Sequence, residues 1–163
     1  MDGVSGSGDV PLQPVEPGYR HVLRARLLLT WSLLVLAAVV FSLTVWREGP
    51  YGQAISISLT LVGILVVAIA PGRIYRRLRY GLSERLLQVV RGWLFHTDTI
   101  VPFVRVQHLD VTRGPLDKLF GTATLIVHTA GTRNSIVTVP GLAPGRAAEI
   151  RDLIRQQIRT DFE

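Results

Sequence analysis

Residues 101–131, VPFVRVQHLDVTRGPLDKLFGTATLIVHTAG, decide the fold of the second half of the chain. Two runs rich in valine, leucine and threonine, at residues 104–112 and 122–129, have the composition that strands favour. The connector between them contains Gly114 and Pro115, a dipeptide that signals a turn. The stretch therefore predicts two β-strands joined by a structured turn, at the centre of a mainly-β domain.

The turn itself shows a helical pattern. Three apolar residues follow Pro115 at the i, i+3, i+4 spacing of one helical turn: Leu116, Leu119 and Phe120. We expect these three side chains to plug a β roll and Gly121 to restart the sheet. Arg105 and Asp117 are expected to pair with neighbouring backbone or charged groups.

The polar residues of the same stretch raise the question of a catalytic or metal site. His108 and Asp110 are two residues apart, so a strand places both side chains on one face, about 7 Å apart. Zinc requires at least three protein ligands, and His128 supplies a third only if the two strands align in register. Because the chain has no cysteine, disulfides, thiol chemistry and Cys-based zinc sites are excluded. We interpret these residues as strand hydrogen-bonding groups and expect no catalytic, metal or cofactor site.

The flanking sequence continues the β pattern and then changes its period. Residues 76–82, RRLRYGL, alternate polar with apolar positions, and residues 85–92 and 93–102 predict a hairpin. A further short strand is predicted at residues 134–139. From Pro144 to Arg159 four apolar residues mark one face of an amphipathic helix: Ile150, Leu153, Ile154 and Ile158. About six short strands closed by one C-terminal helix predict a small antiparallel roll or barrel.

The first half of the chain contains two long apolar runs. Residues 27–46 carry no charge, and at about 1.5 Å per residue this helix crosses the roughly 30 Å hydrocarbon core of a bilayer. A cleaved signal peptide is the alternative, but its apolar region is usually about 7–15 residues long. We therefore expect this segment to be retained. Residues 54–71 predict a second spanning helix, stopped by Pro71 and Gly72.

Residues that are mostly small recur along one face of the second helix: Ser56, Thr60, Gly63 and Val67. In lipid such a face lets two helices approach closely, which predicts packing against the first helix within a hairpin. Neither run contains an ionisable residue, so the sequence offers no ion or proton path. We interpret the hairpin as an anchor rather than a transporter.

Arginines flank the hairpin at its two outer ends. Three precede the first run: Arg20, Arg24 and Arg26. Four follow the second: Arg73, Arg76, Arg77 and Arg79. The connector carries one arginine and one glutamate, so the positive-inside rule predicts that both termini are cytoplasmic. The second group are candidate contacts for anionic lipid headgroups, with Arg77 and Arg79 expected on the polar face of the first strand. The alternative is that these arginines only set the topology.

These features divide the chain into three segments. Residues 1–19 are rich in Gly, Ser and Pro and lack a large apolar cluster, which predicts a disordered N-terminal tail. A docking peptide is the alternative interpretation of this tail. Residues 20–74 form the hairpin, with helices at about 27–46 and 54–71, and residues 75–163 form the cytoplasmic domain.

The two-helix anchor followed by PxxRVQHLDVxxGPLDxLFGxATLxVHTAG resembles the YdbS-like bacterial pleckstrin-homology (PH) domain family. The resemblance covers about residues 20–160. Its motif includes these residues: Pro102, Arg105, Gln107, His108, Asp110, Gly114, Pro115, Leu116, Leu119, Phe120 and Gly121. It implies a multi-pass protein of the bacterial inner membrane, with a cytoplasmic PH-like domain of curved antiparallel strands capped by a C-terminal helix. It implies no catalytic residues, and envelope-stress functions have been proposed for some members.

Two functions remain open from the sequence. The first is a non-catalytic module that docks a protein partner or lipid headgroups at the cytoplasmic face. The second is a structural subunit, assembled through the hairpin with another membrane protein or by self-association. An enzyme is disfavoured, because no serine lies in a nucleophile elbow and residues 114–121 lack the spacing of a phosphate-binding loop. Nucleic acid is not an expected partner.

Overall fold

The computed structural model describes residues 11–45, 50–92, 96–130 and 136–160. Its helices are α1 Gly18–Val45, α2 Pro50–Arg77, α3 Pro115–Leu119 and α4 Pro144–Thr160. Its strands are β1 Gln13–Pro14, β2 Arg79–Leu82, β3 Leu86–Gly92, β4 His96–Pro102, β5 Val106–Thr112, β6 Ala123–Thr129 and β7 Ile136–Leu142. The predicted hairpin connector lies partly outside the described residues, and so does the turn between β6 and β7.

The two long helices have the composition of membrane spans. Gly18–Thr44 and Tyr51–Arg77 have mean hydropathies of 2.3 and 2.4 in their most apolar windows, of which only 6% and 17% are buried inside the protein. A core helix of a soluble protein would bury such an apolar surface against its neighbours. Here the leucine, isoleucine and valine side chains are largely exposed. Both helices are therefore long and apolar enough to cross a bilayer.

The two helices contact each other along the predicted face of small residues. The Ser56 hydroxyl donates a hydrogen bond to the Ala38 carbonyl across the hairpin, at 3.5 Å. A Cβ atom on Gly63 would lie 3.0 Å from Cε3 of Trp31, so the indole ring approaches α2 closely because glycine is present there. The prediction that this face packs within the hairpin is confirmed at these two positions.

Both helices extend beyond the apolar runs. α1 begins at Gly18, because its first turns belong to the β domain and not to the membrane segment. α2 continues through Pro71 to Arg77. Proline removes one backbone donor from a helix, but membrane helices tolerate it where neighbouring groups surround it, and the Pro71 side chain is fully buried. The predicted stop at Pro71 and Gly72 is wrong, and so is the placement of Arg77 on a strand.

The strands form two antiparallel sheets. The first has the order β1-β2-β3-β4 and the second has the order β5-β6-β7. The predicted hairpin is present as β3 and β4, paired from Leu86 with Pro102 to Gly92 with His96. The two-helix hairpin, the mainly-β PH-like domain and the C-terminal helix are thus confirmed. Among the described residues, the two sheets do not close into a barrel.

One apolar core lies where the two sheets and α4 meet. Alternate residues of β3, β6 and β7 point inward, as the period of two requires: Leu87, Val89, Leu125, Val127, Val137 and Val139. From α4, Ile150 and Ile154 are fully buried and Ile158 packs at the margin. Leu153 is 45% exposed, so its predicted place on the buried face is wrong. The i, i+4, i+8 stripe is narrow and Leu153 lies beside it.

The N-terminal segment is part of this domain. β1 pairs antiparallel with β2 and extends the first sheet. Val15, Tyr19 and Val22 are buried in the same core as the other strands. The prediction of a disordered tail is therefore wrong for residues 11–19, whereas residues 1–10 lie outside the described residues. Local composition suggested disorder because Val15 is an isolated apolar residue that gains burial only from tertiary contacts.

Candidate functional site

α3 lies against the base of α1, where the hairpin enters the β domain. The ring of Phe120, directly after α3, stacks on His21 with ring centroids 5.7 Å apart. A Cβ atom on Gly18 would collide with the Phe120 carbonyl oxygen. Leu116 and Phe120 are partly buried and pack against the core, whereas Leu119 is 73% exposed, so the predicted three-residue plug is confirmed for two residues and wrong for Leu119. Helical spacing indicates which side chains share a face, but it does not indicate that α1 contacts that face.

The buried residue of α3 is Asp117, which is 3% exposed. Its Oδ1 accepts a hydrogen bond from the Thr122 hydroxyl at 2.9 Å, and its Oδ2 accepts one from the Gly114 N–H at 3.1 Å. On α1, Nη2 of Arg26 lies 3.6 Å from the same carboxylate. The prediction that Asp117 pairs with nearby backbone and charge is confirmed. We call the following residues the junction: Gly18, His21, Arg26, Asp117 and Phe120.

The four arginines predicted to contact headgroups are exposed where α2 enters the domain. Arg73, Arg76 and Arg77 lie near the end of α2, and Arg79 begins β2. Arg20 of α1 adjoins this group, because its Nη2 lies 3.9 Å from the position of a Cβ atom on Gly72. The fold thus brings basic side chains of both helices to the domain end of the hairpin.

His108 and His128 face each other across the β5–β6 pair, so the register required for a three-residue cluster is present. One oxygen of Asp110 lies 2.9 Å from Nε2 of His108, and the other lies 3.4 Å from Nε2 of His128. His108 is exposed and Asp110 and His128 are half-buried, and the three side chains serve as polar partners for one another. Within the described ranges, no group of three or more His, Asp or Glu residues is arranged to hold a metal ion.

The remaining motif residues shape the turns around β5. The Arg105 carbonyl accepts a hydrogen bond from the Ala130 N–H at 2.8 Å, and the Arg105 side chain is exposed. Pro102 ends β4, and Gln107 is exposed on β5. Gly121 has a φ of +67°, a left-handed conformation that favours glycine. This conformation turns the chain from α3 into β6, as the sequence predicts.

Sequence analysis missed a groove between β5 and α4, which we call the β5–α4 groove. It encloses about 230 Å³. Val106 and Leu109 of β5 line it together with Ile158 of α4, and Arg155 and Arg159 lie along its helical wall. The i, i+4 spacing of the two arginines places both cations on one side of α4. No local pattern shows that β5 lies opposite them, which is why the groove was missed.

A second groove, of about 600 Å³, lies between α1 and α2 within the apolar part of the hairpin. Its walls include Trp31, Val35, Gly63 and Val67, and Arg24 lines its domain end. We call it the hairpin groove. Because its walls are apolar, it fits an apolar occupant of the bilayer, such as another helix.

Comparison with known proteins identifies the family. A family model described as Bacterial PH domain matches residues 22–158. Over 132 residues the chain is 35% identical to UPF0699 transmembrane protein YdbS of Bacillus subtilis (strain 168), a match that covers 78% of each chain. No solved structure gives a significant match. With two apolar helices joined to a PH-like domain, the chain is a membrane protein that belongs to the bacterial PH domain family.

Proposed function

We propose that this protein is a membrane-anchored, non-catalytic interaction module. Its PH-like domain docks a protein partner at the cytoplasmic face of the bacterial inner membrane. The observation that carries the proposal is the junction, because Arg26 of the hairpin reaches Asp117 of the domain and Val22 enters the domain core. A domain held in one orientation at the membrane surface loses less freedom when a partner docks, and this preorganisation favours binding.

A second candidate contact is the bilayer surface. The four exposed arginines at the domain end of α2 are placed for it: Arg73, Arg76, Arg77 and Arg79. The anionic cytoplasmic leaflet attracts basic residues by about 1 kcal/mol each near the surface. These contacts would hold the domain against the headgroups. If the arginines only set the topology, no such contact is needed.

Reconstitution of the full chain tests the lipid contact. In nanodiscs, the thermal midpoint of the domain should be higher with phosphatidylglycerol than with zwitterionic lipid, and high salt should remove the difference. Changing all four arginines to glutamine should also remove it, whereas Arg151→Gln on α4 should preserve it. Equal thermal midpoints of the unmodified chain in both lipids would contradict the lipid contact, and these arginines would then only set the topology.

The structural-subunit alternative is favoured by the hairpin groove, which another apolar helix could fill. Helices associate in lipid through small residues that allow close approach, and Gly63 lies at this groove. The occupant would be another membrane protein or a second copy of this chain. In either case we assign the protein to envelope stress or maintenance, on the strength of the family resemblance.

Site-specific photo-crosslinking in intact cells distinguishes the module from the subunit. A photoreactive residue replaces Val104 of the domain or Leu33 of the hairpin, two side chains that are each 69% exposed. Repeated crosslinks to one protein from position 104 and not from position 33 support the module. The opposite pattern supports the subunit, and crosslinks to lipid alone from both positions would overturn partner docking.

A further inference from the structure

β5 is an edge strand. Among the described residues it pairs with β6 on one side only. The backbone N–H and C=O groups on the other edge of such a strand form a template for pairing with another chain. Proteins often block edges with proline or lysine, but β5, with the sequence VQHLDVT, contains neither. Residues of β5 also line the β5–α4 groove, together with residues of α4.

The strand wall of the β5–α4 groove favours an extended occupant. Four consecutive residues of β5, from Val106 to Leu109, line the groove, so a segment that pairs with this stretch of the strand would lie along it. A strand presents every second side chain to one side, so an added strand would place alternate residues in the groove. The apolar floor provided by Val106, Leu109 and Ile158 suits apolar side chains at these positions.

The charge of the helical wall selects an acidic occupant. Arg155 and Arg159 are both exposed. Neither is within ion-pair distance of an Asp or Glu in the described part of the chain. Arg146 and Arg151 of the same helix differ, because they pair with Glu149 at 2.8 Å and with Asp152 at 2.9 Å. Arg155 interacts with the charge of Asp152 only beyond ion-pair distance, so among the described residues both groove arginines can pair with a carboxylate of a ligand.

We propose that the β5–α4 groove binds an extended, acidic segment of a partner protein by strand addition. The backbone of the segment pairs with the free edge of β5, its alternate apolar side chains enter the groove, and its carboxylates pair with Arg155 and Arg159. This inference rests on the proposed function, for which it names the docking site and the chemistry of the partner.

Selection from a library of displayed random peptides tests this site without knowledge of the partner. The target is the full chain in nanodiscs of zwitterionic lipid. The selected peptides should carry acidic residues and alternate apolar positions. Arg155→Gln with Arg159→Gln should weaken their binding at least tenfold, and higher salt should weaken it further. Arg151→Gln is the matched control on the same helix and should leave the affinity within twofold.

Backbone methylation and amide exchange identify the binding mode. N-methylation of a selected peptide should abolish binding at alternate residues only, because only alternate amides of an added strand face β5. Bound peptide should slow hydrogen exchange of amides in β5, and it should leave β4 unchanged.

Other outcomes overturn the site and leave the proposed function standing. If the affinity of the selected peptides does not depend on Arg155 and Arg159, the peptides bind elsewhere. If they tolerate every single N-methylation, they do not bind by strand addition. If no peptide is selected and the double variant instead converts a dimer of this chain to a monomer, the occupant is a second copy. Crosslinking from position 104 still tests partner docking in each case, so failure of the site and failure of the function are distinguishable.

Discussion

The buried carboxylate of Asp117 is one of the contacts between the membrane hairpin and the β domain. Burying a charge is costly unless hydrogen bonds or an opposite charge offset the loss of water. Asp117 receives both, from the Gly114 N–H, the Thr122 hydroxyl and the Arg26 guanidinium. The acidic residue of the motif segment GPLD therefore has a structural role. It accepts a hydrogen bond at the start of α3 and holds this helix against α1.

Replacing this carboxylate should destabilise the protein. Asp117→Ala leaves the Thr122 hydroxyl, which is 0% exposed, and the Gly114 N–H without their acceptor. A buried polar group without a partner costs about 1–3 kcal/mol. The thermal midpoint of the full chain in detergent, followed by circular dichroism, should fall accordingly. Asp152→Ala, at an exposed position on α4, is the control and should hardly move it. Equal losses in the two variants would contradict the role of Asp117.

Two glycines with similar backbone angles should respond differently to substitution. Gly121 and Gly141 have φ values of +67° and +76°, so alanine at either position costs about 1–2 kcal/mol of backbone strain. A Cβ atom on Gly121 meets no atom within 4 Å, but one on Gly141 would lie 2.6 Å from the Tyr19 ring. Gly141→Ala should lower the midpoint clearly more than Gly121→Ala, because overpacking adds about 1–3 kcal/mol. A larger loss at Gly121 would show that this packing of Tyr19 on β7 is not present.

At the scale of elements, the periodicity of the sequence predicted those strands and helices whose pattern is contained in neighbouring residues. The hairpin pattern in residues 85–102 and the i, i+4 stripe of α4 identified β3, β4 and α4, because sheet and helix geometry determine which side chains share a face. It did not identify β1, whose pairing depends on β2, more than 60 residues later. The β5–α4 groove was missed for the same reason, since its two walls come from distant segments.

The predicted boundary at residue 75 should fail as a domain boundary. Residues 75–163 lack Val15, Tyr19 and Val22, which are 3%, 6% and 0% exposed in the shared core. Burial of each such side chain contributes about 1.5–3 kcal/mol, and the sum approaches the roughly 5–15 kcal/mol stability of a typical domain. The fragment 75–163 should show no cooperative thermal transition alone, and a synthetic peptide of residues 11–26 should restore one. A cooperative transition that the peptide leaves unchanged would contradict the shared core.

At the scale of the whole molecule, the shared core constrains how the chain crosses a membrane. Val15 precedes α1, whereas Leu78 and Tyr80 follow α2, yet all three belong to one buried cluster. We therefore expect both outer ends of the hairpin to lie on the same side of the bilayer. This argument from packing is independent of charge, and it agrees with the sequence prediction that the two termini share one compartment. Charge is needed only to decide which compartment that is.

Reporter fusions should place both outer ends of the hairpin in the cytoplasm. Arginines at both ends of the hairpin, against a connector with one arginine and one glutamate, predict that orientation by the positive-inside rule. Alkaline phosphatase, which is active only after export, should be active when fused after residue 50 and inactive when fused after residue 163. A fluorescent protein that folds only in the cytoplasm should give the reverse result. Export of the C-terminus would contradict the proposed orientation, and opposite locations of the two termini would contradict the shared core as well.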